Sequence, residues 1–212
     1  HEHANVHRGI HYLSERATQK MEEARGAVAA FIGAHSSSEV IFTRGTTDAI
    51  NIVADGIQPD VGEGDEIAVS VLEHHSNFVP WQQLCKRKNA RLRVIPAPDG
   101  EIDMQAYRGM LKERTKLVAV TQVSNLTGTV MPLAGIISLA HEKGIPVLVD
   151  GAQGVRHAGT DVSALDCDFY CFSGHKMLAT TGIGVLYGKR EQLERLMPSR
   201  FGGGMVDVVT VG

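Results

Sequence analysis

The chain has 212 residues, 43% of them hydrophobic and 21% charged, with a formal net charge of −3. That length suits one large domain or two small ones around a real core, and the mild negative charge argues against nucleic acid, which wants a basic face. No apolar run approaches the ~18 residues that cross a membrane and no signal-peptide apolar segment opens the chain, while Cys85, Cys167 and Cys171 are too few and too irregular for a disulfide framework or a zinc site. A reducing, cytoplasmic setting is the expectation.

From residue 14 to 31, Ala17, Met21, Ala24, Val28 and Phe31 recur at steps of three and four, which predicts an amphipathic helix with Ser14 as N-cap and Gly33 near its end. Beyond it, strand-like runs at 40–43, 67–72, 92–96, 117–123, 146–150, 169–173 and 183–187 alternate with helical stretches at 47–55, 77–88, 104–113 and 133–143. Seven strands alternating with helices predict an α/β three-layer sandwich with a mostly parallel sheet covered on both faces. The last two strands are joined by a Gly-rich link with no room for a crossover helix, so the seventh is expected to run antiparallel. No repeat, low-complexity segment or linker interrupts the chain, and one domain is expected.

Ligands of such sheets gather where strands end and helices begin. After the first strand, "TRGTTDAIN" offers Gly45 for a tight turn and Thr46 and Thr47 as helix caps with free backbone N–H groups, either an ordinary cap or a phosphate site. After the second, "LEHHSN" places His74 beside His75. Neighbouring side chains on extended backbone point to opposite sides, so one of the two can face a pocket, to stack on an aromatic ligand or carry protons. The histidines upstream (His1, His3, His7, His11) raise the thought of zinc, but no HExxH or Cys/His spacing completes a site.

After the fourth strand, Asn125 in "QVSNLTG" either makes a turn or donates to a ligand oxygen. The fifth strand ends in Asp150, a carboxylate at the core edge that a cationic heterocyclic nitrogen would satisfy, unless "DG" simply opens a turn. Gln153 lies one turn further on. The sixth delivers Ser173, Gly174, His175 and Lys176, whose lysine is either solvated or a partly desolvated amine suited to imine chemistry. An acid for a ring nitrogen, an amine, an imidazole and phosphate donors on adjacent strand ends fit pyridoxal 5'-phosphate (PLP).

Together, "FSGHKMLATTGIGVLYGK", "VLVDGAQ", "TRGTTDAIN", "LEHHSN" with "VPWQ", "VTQVSNLTG" and "HRGIH", in that family's order along the chain, resemble the SufS-type cysteine desulfurases among the class V aminotransferase-like, fold-type I PLP enzymes. The likeness runs from about residue 5 to residue 204. It implies the large domain of a PLP-dependent transferase over residues 1–212, and conversion of L-cysteine to L-alanine with sulfur passed on as a persulfide for iron–sulfur cluster assembly. By motif, Lys176 resembles the imine-forming lysine, Asp150 the partner of the pyridine nitrogen, Gln153 the contact to the phenolic oxygen and His74 the stacked imidazole. Thr47, Ser173 and His175 resemble phosphate ligands with Thr46 close by, Asn125 a residue near the substrate carboxylate, and His7 and Arg8 residues of the site mouth.

Where the family has Gly-Pro-Thr-Gly after the lysine, this chain has Ala179, Thr180, Thr181 and Gly182, a departure expected to loosen the turn without removing the amine. The resemblance also implies segments beyond both ends: a small C-terminal domain, its persulfide-forming cysteine and a carboxylate-binding arginine. Cys85, Cys167 and Cys171 all read as inert buried thiols, so this stretch alone is expected to be inactive as a desulfurase. A homodimer and a sulfur-acceptor protein follow from the likeness alone. Selenocysteine lyase, with L-selenocysteine as substrate, shares the same motifs. Another class V aminotransferase or a non-catalytic dimerising scaffold are the further readings.

Overall fold

The structure is a computed structural model that describes Val6 and residues 12–201. Seven strands form one sheet: β1 (Val40–Thr43), β2 (Glu66–Ser70), β3 (Arg91–Ile95), β4 (Thr115–Thr121), β5 (Val147–Asp150), β6 (Phe169–Ser173) and β7 (Gly184–Gly188). Their order is β1-β7-β6-β5-β4-β2-β3. Strands β2 to β6 pair parallel, and β7 runs antiparallel to both β1 and β6, as the short link before it requires. The helices are α1 (Tyr12–Phe31), α2 (Thr46–Gly56), α3 (Val79–Lys88), α4 (Met104–Met110), α5 (Leu133–His141), α6 (Gly154–His157), α7 (Val162–Leu165) and α8 (Arg190–Arg195). Among the described residues no helix is long and apolar enough to cross a membrane.

The sheet is buried on both faces because its central strands are apolar throughout, and the period of two splits each strand between two cores. Val118, Val120, Val147, Val149, Tyr170 and Phe172 face one side, where α1, α4 and α5 contribute Ala29, Tyr107, Ile136 and Ala140. Leu117, Ala119, Leu148, Phe169 and Cys171 face the other, against Ile50 and Val53 of α2 and Trp81 and Leu84 of α3. Burying each of the valine, leucine, isoleucine and phenylalanine side chains among them contributes ~1.5–3 kcal/mol, and an α/β three-layer sandwich is the result.

Three local expectations are corrected. Ser14 is no N-cap: α1 already runs at Tyr12, and Ser14 is a buried residue inside it whose carbonyl accepts from Thr18 Oγ1 at 2.9 Å. Ala24 and Phe31 are exposed, since the helix packs through Val28, Ala29 and the following Ile32. That rotation lets Arg25 reach Val40 O at 2.5 Å and lie 5.1 Å over the Phe42 ring. The fourth predicted helix stops at Met110, where Leu111 turns to extended backbone.

Candidate functional site

Every candidate residue that lies on described positions stands at the C-terminal edge of the parallel strands or on the turn beside it; His7 and Arg8 lie outside the described residues. At the β1 end, neither threonine caps α2. The N-cap is Gly45, at φ 151° and ψ 178°, backbone that glycine alone enters readily. A Cβ on Gly184 would stand 2.4 Å from Gly45 Cα, so the start of α2 presses directly on β7. The correction has a physical gain: released from capping, Thr46 is buried and binds across to β6. Its N–H donates to Ser173 Oγ at 2.8 Å, and the two hydroxyls lie 2.7 Å apart.

Thr47 and His175 are exposed beside this pair, and with Gly45, Thr46, Asn51 and Ser173 they line an open cavity of about 540 Å³. The N-terminal N–H groups of α2 turn its positive end to that cavity. Arg44 and Arg200 stand on the rim, both drawn to Asp48 at 2.8 and 3.3 Å, and the Arg44 guanidinium holds the Asp48 carboxyl below its ordinary value.

Asp150 is buried at 3% exposure at the end of β5. Its Oδ1 accepts from Ala152 N–H at 2.9 Å, its one hydrogen bond through the side chain among the described residues. Burial pushes the carboxyl up, and the Ala152 N–H, Lys176 and His74 pull it back. Lys176 sits half-buried in a short turn after β6, closed by Gly174 N–H to Ile183 O at 2.9 Å and Ala179 N–H to Gly174 O at 3.0 Å. Leu178, at φ 70°, makes the reversal that a glycine would make at lower cost. The turn is formed without the proline of the resembling motif, and its Nζ takes part in no hydrogen bond or ion pair among the described residues.

The histidine pair departs from expectation. Residues 75–77 form a single 3-10 turn rather than extended backbone, so the two rings do not oppose each other but lie 6.0 Å apart, tilted by 58°. His74 is exposed and caps that turn through Nδ1, which accepts from Ser76 N–H at 3.1 Å and lies 2.8 Å from Ser76 Oγ. An Nδ1 that accepts leaves the ring proton on Nε2.

Asn125 is exposed on the turn closed by Gly128 N–H to Ser124 O at 2.9 Å. It shares a second cavity, of about 390 Å³, with half-buried Gln153. In strand order the two cavities flank the Asp150 position, one at the ends of β1 and β6, the other at those of β4 and β5. The close packing of α6 on β4 and β6 depends on two glycines. A Cβ on Gly151 would meet the Tyr170 ring at 2.0 Å, and one on Gly154 would meet Gln122 Oε1 at 2.0 Å.

The three thiols are buried, and burial raises Cys85 to about 11 and Cys167 to about 12, with Cys171 raised as well. None is a thiolate near neutral pH, in line with the reading of inert cysteines. Among the described residues no group of three or more His, Cys, Asp or Glu is placed to hold a metal ion. Sequence reasoning missed Glu73, which lies next to His74 and joins β2, β4 and the 3-10 turn before α3. Its only signal was a carboxylate immediately before the histidine pair.

With this geometry in hand, comparison with known proteins is decisive for the family. Residues 1–212 match the family Aminotransferase class-V. The chain belongs to that family. It is 55% identical over 217 residues to a cysteine desulfurase of Dickeya dadantii (strain 3937), a match covering 100% of this chain and 52% of that protein. Among solved structures it resembles the cysteine desulfurase CsdA of Escherichia coli, with a TM-score of 0.88 and 43% identity over 98% of this chain and 52% of that one. It also resembles a C-DES variant with glycine covalently linked to its PLP cofactor, with a TM-score of 0.82 and 27% identity over 91% of this chain and 52% of that one. The chain thus spans about half the length of the relatives it matches.

Proposed function

We propose that this chain is the cofactor-binding large domain of a PLP-dependent cysteine desulfurase of the SufS type, which takes sulfur from L-cysteine, leaves L-alanine and passes the sulfur on as a persulfide. One observation carries the reading: a buried carboxylate with a single side-chain hydrogen bond among the described residues, Asp150, lies within electrostatic reach of Lys176, just past the next strand end, whose amine makes no hydrogen bond or ion pair among them. A cationic ring nitrogen at Asp150 would supply the missing partner, since a buried carboxylate so sparsely bonded is costly.

The residues fit PLP in other respects. Thr46, Thr47, Ser173 and His175, at the positive end of α2, would hold a phosphate. Gln153 would reach the phenolic oxygen, His74 would lie against the ring, and Asn125 would meet the substrate carboxylate. When bound, PLP supplies an aldehyde for imine exchange and an electron sink at the substrate α-carbon. Lys176 Nζ would hold the aldehyde in the resting protein and, once displaced, take the α-proton, helped by the Asp150 charge close by. His74, with its proton on Nε2, is set to donate towards the substrate side. The thiol that receives sulfur is none of Cys85, Cys167 or Cys171, whose raised pKa values keep them protonated.

A homodimer, a cytoplasmic location and a sulfur-acceptor protein that feeds iron–sulfur cluster assembly complete this reading. The visible spectrum of the full-length protein, before and after borohydride, tests it, with peptide mapping of the reduced adduct. PLP fixed at Lys176 and alanine released from cysteine are expected. Protein that retains no PLP, or fixes it elsewhere, overturns the assignment, and turnover of selenocysteine beside cysteine ranks the two substrates.

A further inference from the structure

Behind His74 runs a polar chain for which the chemistry above has no use. Trp81 Nε1–H donates to Asn77 Oδ1 at 2.9 Å, and Asn77 Nδ2–H donates to Glu73 Oε2 at 2.6 Å. Thr121 N–H, at the tip of β4, donates to Glu73 Oε1 at 2.8 Å, and Ser70 Oγ at the end of β2 bonds the same oxygen. Trp81 and Asn77 are fully buried. The directions are forced: an indole N–H only donates, so Asn77 must turn its oxygen to Trp81 and its amino group to Glu73, and a backbone N–H only donates to Oε1. Both carboxyl oxygens are therefore committed as acceptors, and only the Ser70 hydroxyl is free to reverse.

We propose that Glu73 is a positioning residue for this site, tying the end of β2, the 3-10 turn before α3 and the tip of β4 together so that the one-turn segment carrying His74 is held in place beside the Asp150 strand end. This rests on the PLP reading of the site. The pinned segment is short: His74 follows Glu73 directly, and among the described residues its ring bonds Ser76 of its own turn and nothing else. Thr121, held by Glu73, pairs in register with Asp150 and sends its hydroxyl to Val123 O at 2.9 Å. One carboxyl group thus sets the spacing between the imidazole and the acid that would grip opposite parts of the ring.

Electrostatics agree with that role. Burial pushes Glu73 up to about 8, and Asp150 on β5 adds to the rise, while Ser70 from β2, Asn77 from the 3-10 turn and Thr121 from β4 oppose it. Around neutral pH the group holds its proton, shared towards Ser70. It then anchors the turn without adding a second negative charge beside Asp150, which leaves Asp150 to answer the ring nitrogen alone.

The test compares wild type, Glu73→Gln and the double variant Glu73→Gln/Asn77→Asp in the full-length protein. Glutamine keeps the volume, but whichever way its amide turns, its NH₂ meets a donor, Asn77 or Thr121 N–H. The double variant reverses donor and acceptor between the two positions and restores every bond, Trp81 included. The expected result is a fall in kcat of up to about 100-fold in the single variant with KM little changed, and recovery of most of it in the double variant. In PLP-free protein, the tryptophan fluorescence difference between wild type and Glu73→Gln should titrate near pH 8. Wild-type kcat in Glu73→Gln, no such titration, or a kcat loss in both variants that merely follows their loss of thermal stability would each overturn the inference. Absence of borohydride-fixed PLP at Lys176 in wild type overturns the underlying reading and the inference with it, whereas normal fixation with an unaffected Glu73→Gln removes the inference alone.

Discussion

Asp150 and Asp168 lie at opposite ends of two neighbouring parallel strands, and both are buried, yet their surroundings differ in kind. Asp168, just before β6, accepts from Val147 N–H at 2.7 Å and pairs with His141 Nε2 at 2.8 Å, and Lys189 Nζ stands 3.6 Å away. Lys189 also pairs with Asp166 at 2.5 Å, which together with His141 lowers the Asp166 carboxyl. Among the described residues Asp150 has one backbone N–H and a lysine that pulls on it without bonding. A buried charge whose partners are all present is a strut that fastens α5 and the start of α8 to the sheet. A buried charge short of partners is a socket. Burial and residue type are the same in both cases, so neither separates function from structure; the count of satisfied partners does.

Variants at the two ends should break in opposite ways. The largest effect is expected for Lys176→Ala, which should abolish borohydride-fixed PLP, read by peptide mapping, while a thermal melt shows the midpoint shifted little, since its amine makes no hydrogen bond or ion pair among the described residues. Asp150→Asn should lower kcat by about 10²–10³-fold, the scale for removing a preorganised electrostatic partner, and urea unfolding should show stability unchanged or higher, because a sparsely bonded buried charge is gone. Asp168→Asn should do the reverse, costing about 1–3 kcal/mol of stability by weakening the acceptor of the buried Val147 N–H and leaving His141 and Lys189 to Asp166 alone, while the PLP absorbance per folded molecule stays at the wild-type level. A smaller change is expected of Ser173→Ala, which removes the acceptor of Thr46 N–H: about 1 kcal/mol in stability and a modest loss of PLP affinity by titration of the apo-protein.

The smallest difference is in pH dependence. Burial raises Asp150 and brings Glu73 up to about 8, so the folded protein binds protons that the unfolded chain has already released. For such groups the favourable contribution is complete below the ordinary carboxyl range and is lost as pH rises through the folded values. Urea midpoints of the PLP-free protein should therefore fall between about pH 5 and pH 9, and the fall should shrink in Glu73→Gln. A flat profile in wild type would contradict the burial of these two carboxyls.

How far the sequence could be read follows from which forces are local. The strands at 40–43 and 169–173 match β1 and β6 residue for residue, because an apolar run between turn signals needs no partner to be recognised. The fault at α1 arose at its ends and its face. Ser14 carries a capping side chain but sits a turn too deep, and Arg25 took the inward place that periodicity assigned to Ala24. At the candidate site, Asp150 and Ser173 stood out in the sequence because each ends a strand, and Lys176 because it stands in the turn just after one. Glu73 was not: its partners Ser70, Asn77 and Thr121 stand on three elements, and Thr121 is 48 residues away in the chain.

Residue order alone determined the alternation of strands and helices, the antiparallel seventh strand and the clustering of polar candidates at strand ends, since these depend on side-chain periodicity and on the reach of short links. Tertiary structure decided which polar groups were satisfied. It turned Thr46 from a cap into a partner of Ser173, gave Asp168 its His141 and Lys189 partners and left Asp150 with one side-chain hydrogen bond among the described residues. Hydrogen bonds between strand ends depend on pairing register and on the twist that brings distant backbone together, and neither is encoded in any window of neighbouring residues.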